Sequence, residues 1–249
     1  MTSEGRKILL EEAERTLRAA KYWHYRFVFP WGDTEPTRPG WEERVAKRRR
    51  HFFLPLLERL GGSMHRLDVL DLGCCQGYWS MEAVRAGALN VLGIDSSPFF
   101  VAEARAAANV LGVPGCTFLQ ANLEEDAWWT AITPAPNPDI TLMLGVLYHL
   151  TDPISVLRRA LRITKNAVVI DGEVSQAADP IVRLVPRTPG EPTTVRSNVT
   201  SGLRAIPSVS ALALVLRDAG FSKIEVLEPS HEMPADYHAG TTASIIASR

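Results

Sequence analysis

The segment Val69-Leu70-Asp71-Leu72-Gly73-Cys74-Cys75-Gln76-Gly77-Tyr78 decides the fold of this chain. A short apolar run that ends in closely spaced glycines reads as a buried strand, a sharp turn and a helix start. Glycine lets the backbone turn tightly and approach a ligand closely. Outward from that segment, strands are expected near 68–72, 90–95, 116–120, 139–144 and 167–171, with helices near 78–87, 98–111 and 152–163. Such alternation predicts an α/β fold with a mostly parallel, doubly wound sheet covered on both faces. A helix over 208–219, stopped at Gly220, and strands near 223–228 and 242–247 complete the pattern.

Two regions stand outside this alternation. Upstream, Leu10, Ala13, Leu17 and Ala20 fall at helical spacing and lead into the aromatic run Tyr22-Trp23-His24-Tyr25-Arg26-Phe27-Val28-Phe29-Pro30-Trp31. A second helical pattern spans Trp41 to Leu60 and carries the basic run Lys47-Arg48-Arg49-Arg50, read mainly as a solvated helix face. Downstream, a polar stretch punctuated by Pro180, Pro186, Pro189, Pro192 and Pro207 is too long for an ordinary connection. Long insertions of this kind are often lids or binding loops. The expected organisation is a helical, aromatic cover over 1–62 and a main domain over 63–249, with 174–207 as a lid or acceptor-binding insertion.

Composition narrows the classes. The chain has 249 residues, 46% hydrophobic and 22% charged, which is globular rather than disordered. Lys plus Arg is 27 against 28 Asp plus Glu, for a net charge of −1, so a protein that grips nucleic acid by phosphate neutralisation is disfavoured. Three cysteines, Cys74, Cys75 and Cys116, include no CxxC pair and indicate neither a zinc site nor a disulfide framework. No apolar run is long enough to span a membrane, so the expectation is a cytoplasmic protein; homo-oligomerisation stays open.

An acid just ahead of the glycine turn, Asp71, would repel a pyrophosphate but suits a ligand with cationic sulfonium and amino groups. With Asp95 ending the second strand, where a carboxylate accepts from ribose hydroxyls, the pattern resembles class I S-adenosylmethionine-dependent methyltransferases over about residues 67–171. That resemblance implies a Rossmann-like, seven-stranded sheet with an antiparallel finish and S-adenosylmethionine as cofactor. Asp71, Gly73, Cys75 and Gly77 would then line the methionine end, Asp95 and Ser96 the ribose, and Asn122 and Leu123 the adenine, with Gly145 and Trp23 completing the wall. Cys75 stands where the family usually has glycine, and Asn122 where it usually has Asp.

The fourth strand runs into Gly145-Val146-Leu147-Tyr148-His149-Leu150, which places His149 beside the expected methyl donor as a general base for a hydroxyl acceptor. Tyr148, Glu173, Arg196, Asn198 and His238 are expected to touch the acceptor, as are Arg183 and Arg204. Asp171 and Glu173 are also candidate Mg2+ ligands. The Leu-Gly-Val-Leu-Tyr-His-Leu stretch is similar to the branch holding the tRNA wobble-uridine carboxymethyl-transferring enzymes and small-molecule O-methyltransferases, including sugar enzymes of polysaccharide biosynthesis. The resemblance implies O-methylation of a small polar acceptor, a carbohydrate such as a methylated mannoside. The alternatives are a tRNA-modifying enzyme and a non-catalytic cofactor-binding protein.

Overall fold

A computed structural model describes residues 2–126, 129, 132, 137–186 and 202–249. The chain begins with α1 (Ser3–Ala19), capped by the Thr2 hydroxyl on the Gly5 amide. A two-residue ribbon follows, β1 (Val28–Phe29) against β2 (Gly32–Asp33). The helix expected from Trp41 to Leu60 is interrupted. It forms α2 (Trp41–Arg48), widens into a π-turn over Arg49–Phe53, and resumes as α3 (Leu54–Arg59). Pro55 accounts for the break, because it lacks an N–H and its ring clashes with a carbonyl one turn back.

The main sheet forms where the sequence places it, as β3 (Asp68–Leu72), β4 (Asn90–Asp95), β5 (Cys116–Gln120), β6 (Ile140–Leu144) and β7 (Ala167–Glu173). These five pair in parallel, with β3 at the centre between β4 and β6. Between them lie α4 (Tyr78–Arg85), α5 (Pro98–Val110) and α6 (Pro153–Ile163). Ser97 and Asp152 cap α5 and α6 through hydrogen bonds from the Phe100 and Ser155 amides. Within the expected insertion a separate antiparallel hairpin appears, β8 (Val182–Pro186) with β9 (Leu203–Pro207). Then come α7 (Val209–Asp218), β10 (Lys223–Val226), the short α8 (Ala235–His238) and β11 (Thr242–Ser248). Strand β11 is antiparallel to both β7 and β10. The seven-stranded order is β10-β11-β7-β6-β3-β4-β5, the Rossmann-like arrangement expected.

Alternation along each strand divides the core between the two faces. Val69, Val91, Ile140, Leu142 and Val169 pack with Leu56, Trp79, Met81 and Ala104 on one side. Leu70, Leu72, Ile94, Met143 and Ile170 pack with Leu157, Leu161, Leu212 and Leu216 on the other. Because both faces are buried, the strands read as nearly continuous apolar runs. All their carboxyl ends open on one edge, and the strand order reverses beside β3, with β4 and β5 on one side and β6 and β7 on the other; ligands of open α/β sheets bind in such crevices.

Candidate active site

A crevice of about 510 Å³ lies at that edge, within the roughly 300–1,000 Å³ of small-molecule and cofactor sites. Gly73, Cys75, Asp95, Ser96, Asn122, Leu123, Gly145, Tyr148, His149, Asp171 and Glu173 all line it, so most of the residues singled out from sequence converge there. Asp95 is held by backbone amides, with those of Cys75 at 2.8 Å and Ser97 at 2.9 Å. Burial raises its carboxyl above the ordinary value, while the amides oppose the shift. A pinned carboxylate with free lone pairs fits two ribose hydroxyls. Gly145 has φ +84°, and a Cβ built there would have only the Tyr148 hydroxyl, at 3.7 Å, within reach. The missing side chain leaves that wall open. These features fit an adenosyl cofactor, which Asp95, Ser96, Asn122 and Gly73 would hold.

Other expected contacts sit elsewhere. Asp71 is in the core beneath the turn, accepting from Ser80 Oγ at 2.6 Å, and burial pushes its carboxyl up to about 7. Any effect it has on a cation is through space. Gly77 begins α4 at φ +75°, and a Cβ there would meet the Phe118 ring at 2.7 Å, so its role in the structure is packing. Cys75 has φ +50°, a left-handed conformation at which a side chain costs about 1–2 kcal/mol. That explains the usual glycine. Trp23 packs on Phe27 and Phe29 away from the crevice, while its neighbours His24 and Tyr25 line it. His238 is exposed on α8, and the residues before it, Asp236 and Tyr237, turn inward instead. Arg196 and Asn198 lie outside the described residues.

The carboxylates considered for a metal are engaged otherwise. Asp171 is buried against Arg48 (2.5 Å) and also accepts from Tyr237 Oη (2.7 Å) and Ser244 Oγ (2.6 Å). Glu173 is paired with Arg204 of β9. Among the described residues no group of three His, Cys, Asp or Glu comes together to hold a metal ion. The arrangement therefore gives no support to Mg2+ on Asp171 and Glu173. Asp152, just beyond His149 in the chain, is occupied as the α6 cap.

His149 closes a 3-10 turn, Leu147–His149, directly after β6, with its amide on the Val146 carbonyl at 3.0 Å. Its ring centroid lies 4.2 Å from that of Tyr148. Gly172 makes room for Tyr148, since a Cβ there would fall 2.8 Å from Cε1. The strand β9 flanks this turn, with the Ala205 amide on the Leu150 carbonyl at 2.9 Å.

Sequence reasoning expected an N-terminal cover but did not single out His24, Arg38, Arg44 or Arg48 within it. His24, Arg38, Trp41, Arg44 and Arg48 all line the crevice. Gln76, wholly buried, fastens this segment to the glycine turn. It accepts from the His24 amide (3.0 Å) and donates to the Tyr22 carbonyl (2.8 Å) and to Glu103 (2.7 Å). Burial, then the nearby Arg38, His149 and Arg48 charges, push the His24 imidazole down to about 3. Tyr25 stacks on Tyr78, centroids 4.7 Å apart and 7° between planes, so the aromatic run both staples the cover and walls the crevice. In the basic run, Lys47, Arg49 and Arg50 pair with Glu43, Glu82 and Glu232, as a solvated face does, but Arg48 is buried. No signal beyond its place at a helix end distinguishes Arg48 from its neighbours.

The comparisons with known proteins agree with this geometry. Residues 69–167 match the family model described as a methyltransferase domain. The chain is 32% identical over 173 residues to the tRNA U34 carboxymethyltransferase of Shewanella sp. (strain W3-18-1), covering 66% of this chain and 46% of that protein. The Shewanella piezotolerans protein of the same name is 31% identical over 205 residues, covering 79% and 52%. The chain thus spans about half the length of the curated relatives it matches. Among solved structures, the N-terminal domain of EvdMO1, obtained in the presence of SAH and D-fucose, superposes with TM-score 0.68 at 19% identity over 100% of this chain and 97% of that one. Magnesium protoporphyrin IX methyltransferase from Synechocystis PCC 6803 with bound SAH gives 0.57 at 18%, over 99% of each chain. At such identities these two likenesses speak for the fold.

Together, the matched domain and the crevice point one way: residues 69–167 match a methyltransferase domain, and the crevice at its strand ends fits an adenosyl cofactor. Among the described residues no helix is long and apolar enough to cross a membrane.

Proposed function

We propose that the protein is an O-methyltransferase for a small polar acceptor, most consistent with a carbohydrate, and that His149 is its general base. The observation that carries this reading is the position of His149. It ends the turn after β6 and lines one crevice with Asp95, Gly73 and Gly145 on the cofactor side and with Glu173, Arg204 and Asp236 on the other. Bound there, S-adenosylmethionine supplies a methyl group activated for in-line displacement. The chain must hold an acceptor oxygen about 3 Å from that carbon. His149 takes the hydroxyl proton as the new C–O bond forms, which a neutral imidazole does near pH 7. Tyr148, fixed by the close approach to Gly172, shapes the acceptor side. The cover over 1–62 shields the site from water through His24, Tyr25 and Trp41.

Supplying methyl-labelled donor with neutral sugars, simple alcohols and bulk tRNA tests this directly. Label is expected in a sugar or other small hydroxyl compound, and label in tRNA alone would overturn the reading. A second reading, tRNA modification, rests on the names of the relatives that match at about 31–32% identity. Against it, Lys47, Arg49 and Arg50 are each already paired with a carboxylate. That reading requires tRNA binding that weakens steeply with salt. Absence of binding at low salt would dismiss it. The third alternative, a non-catalytic cofactor-binding protein, is excluded by any acceptor-dependent consumption of donor.

A further inference from the structure

Three arginine–carboxylate pairs line the same crevice as Tyr148 and His149. Arg44 holds Asp236 through both carboxylate oxygens, at 3.0 and 2.6 Å. Arg48 holds Asp171, which is further closed off by Tyr237 and Ser244. Each of these two carboxylates has both oxygens occupied. The third pair differs. Arg204 reaches Glu173 through Nη1 to Oε2 only. Among the described residues, Glu173 Oε1 and Arg204 Nη2 take no hydrogen bond, although both residues line the crevice.

One free acceptor oxygen on Glu173 and free guanidinium N–H groups on Arg204, whose Nε is also buried without a partner, are the complement of two adjacent hydroxyls, each of which both donates and accepts. The three pairs also cancel in charge, so an anionic ligand on this wall would have to draw an arginine from its carboxylate, and a cation the reverse. Arg38, the remaining guanidinium of the crevice, lies near enough to depress the His24 imidazole and over the Trp41 ring at 5.4 Å. We propose that Glu173 and Arg204 form the acceptor-binding pair for a vicinal diol of an uncharged polyhydroxylated compound, with Glu173 Oε1 accepting from one hydroxyl and Arg204 Nη2 donating to its neighbour. This rests on the O-methyltransferase reading and names the substrate class of the same site.

The position of Arg204 gives the pair a second consequence. It is contributed by β9, whose next residue, Ala205, is bonded to Leu150, the residue after His149. The diol grip is therefore fixed in register with the base by backbone hydrogen bonding rather than by a free loop, and the hydroxyl presented to His149 is set by its distance from the gripped pair. One face of the acceptor, not any available hydroxyl, is methylated.

Calorimetric binding to the SAH-loaded protein tests the proposal, with a set of neutral methyl hexosides, the matching monodeoxy hexosides and a hexose 6-phosphate as probes. A neutral hexoside is expected to bind, and loss of one of its two adjacent hydroxyls is expected to weaken binding about tenfold or more. Glu173→Gln turns the free acceptor into a donor, and Arg204→Lys removes the second arm of the fork. Each is expected to weaken hexoside binding about tenfold while SAH affinity, which also reports folding, is unchanged. Unchanged hexoside affinity in Glu173→Gln, preference for the phosphate, or no hexoside binding at all would overturn the proposal. Methyl transfer to a different hydroxyl compound would at the same time leave the O-methyltransferase reading standing. No transfer to any hydroxyl acceptor, with SAH binding intact, would remove that reading as well.

Discussion

Replacing Gln76 by Leu is predicted to detach the N-terminal segment from the cofactor turn. The buried amide makes three hydrogen bonds, to the His24 amide, the Tyr22 carbonyl and the Glu103 carboxylate. Two neutral bonds are worth about 0.5–1.5 kcal/mol each and one to a charged group about 1.5–3 kcal/mol, so the gross loss is about 2.5–6 kcal/mol. Added apolar contact from leucine offsets part of it, leaving an expected destabilisation of about 3 kcal/mol. The loss also depends on pH. Burial already raises the Glu103 carboxyl, and Gln76 is what holds it down. Without that partner the folded-state value rises further above the unfolded 4.5. A raised acid costs stability as pH climbs from the unfolded value through the folded one, so the variant should be more impaired at pH 8 than near pH 4.5. Urea unfolding at the two pH values measures this, with SAH titration and amide exchange over 22–38 reporting the segment itself. SAH affinity is expected to fall about tenfold and exchange to accelerate. A loss below about 1 kcal/mol, with affinity and exchange unchanged, would refute the idea that Gln76 fastens the cover.

Three further outcomes follow from individual contacts. Asp171→Asn leaves the buried Arg48 guanidinium without its counter-ion and should cost about 3–5 kcal/mol in denaturant unfolding; a loss under 1 kcal/mol would mean that the pair is not closed to water. Gly77→Ala places a Cβ 2.7 Å from the Phe118 ring at φ +75° and should cost about 2–4 kcal/mol, again by denaturant unfolding. His24, depressed to about 3 by burial first, should show no titration between pH 5 and 8 by NMR. A base whose folded value is depressed adds stability that is full above its unfolded value of 6.5 and drains away as pH falls towards 3.

The sheet could be read from sequence because both its faces are covered. Runs such as Val69–Leu72 and Ile140–Leu144 are buried throughout, mostly apolar, and end at glycines, which leaves little choice of structure. Boundaries at β3, β4 and β5 match the expectation, and β7 runs two residues further, to Glu173. The hairpin β8–β9 could not be seen. Val182, Leu184 and Leu203 are exposed, so no alternating apolar pattern marks β8, and its prolines suggested a loop. The donor side of the crevice was legible from Gly73 and Asp95, whose types are set by backbone geometry and ribose chemistry. Long-range pairs were not. Arg48 meets Asp171, Arg44 meets Asp236 and Gln76 meets the backbone of residues 22 and 24, and none of these residues differs locally from a surface residue of the same type. Cys75 is intermediate: its glycine-like position was visible, but its left-handed backbone was not.

The central claim is that one crevice binds the methyl donor and presents an acceptor hydroxyl to His149. Measuring turnover with methyl-labelled donor alongside SAH affinity in His149→Ala tests it most directly. The account predicts turnover lowered about 100-fold or more, with SAH affinity within about twofold of the unsubstituted protein. Turnover that persists at the original rate, or a loss explained wholly by weakened SAH binding, would contradict it.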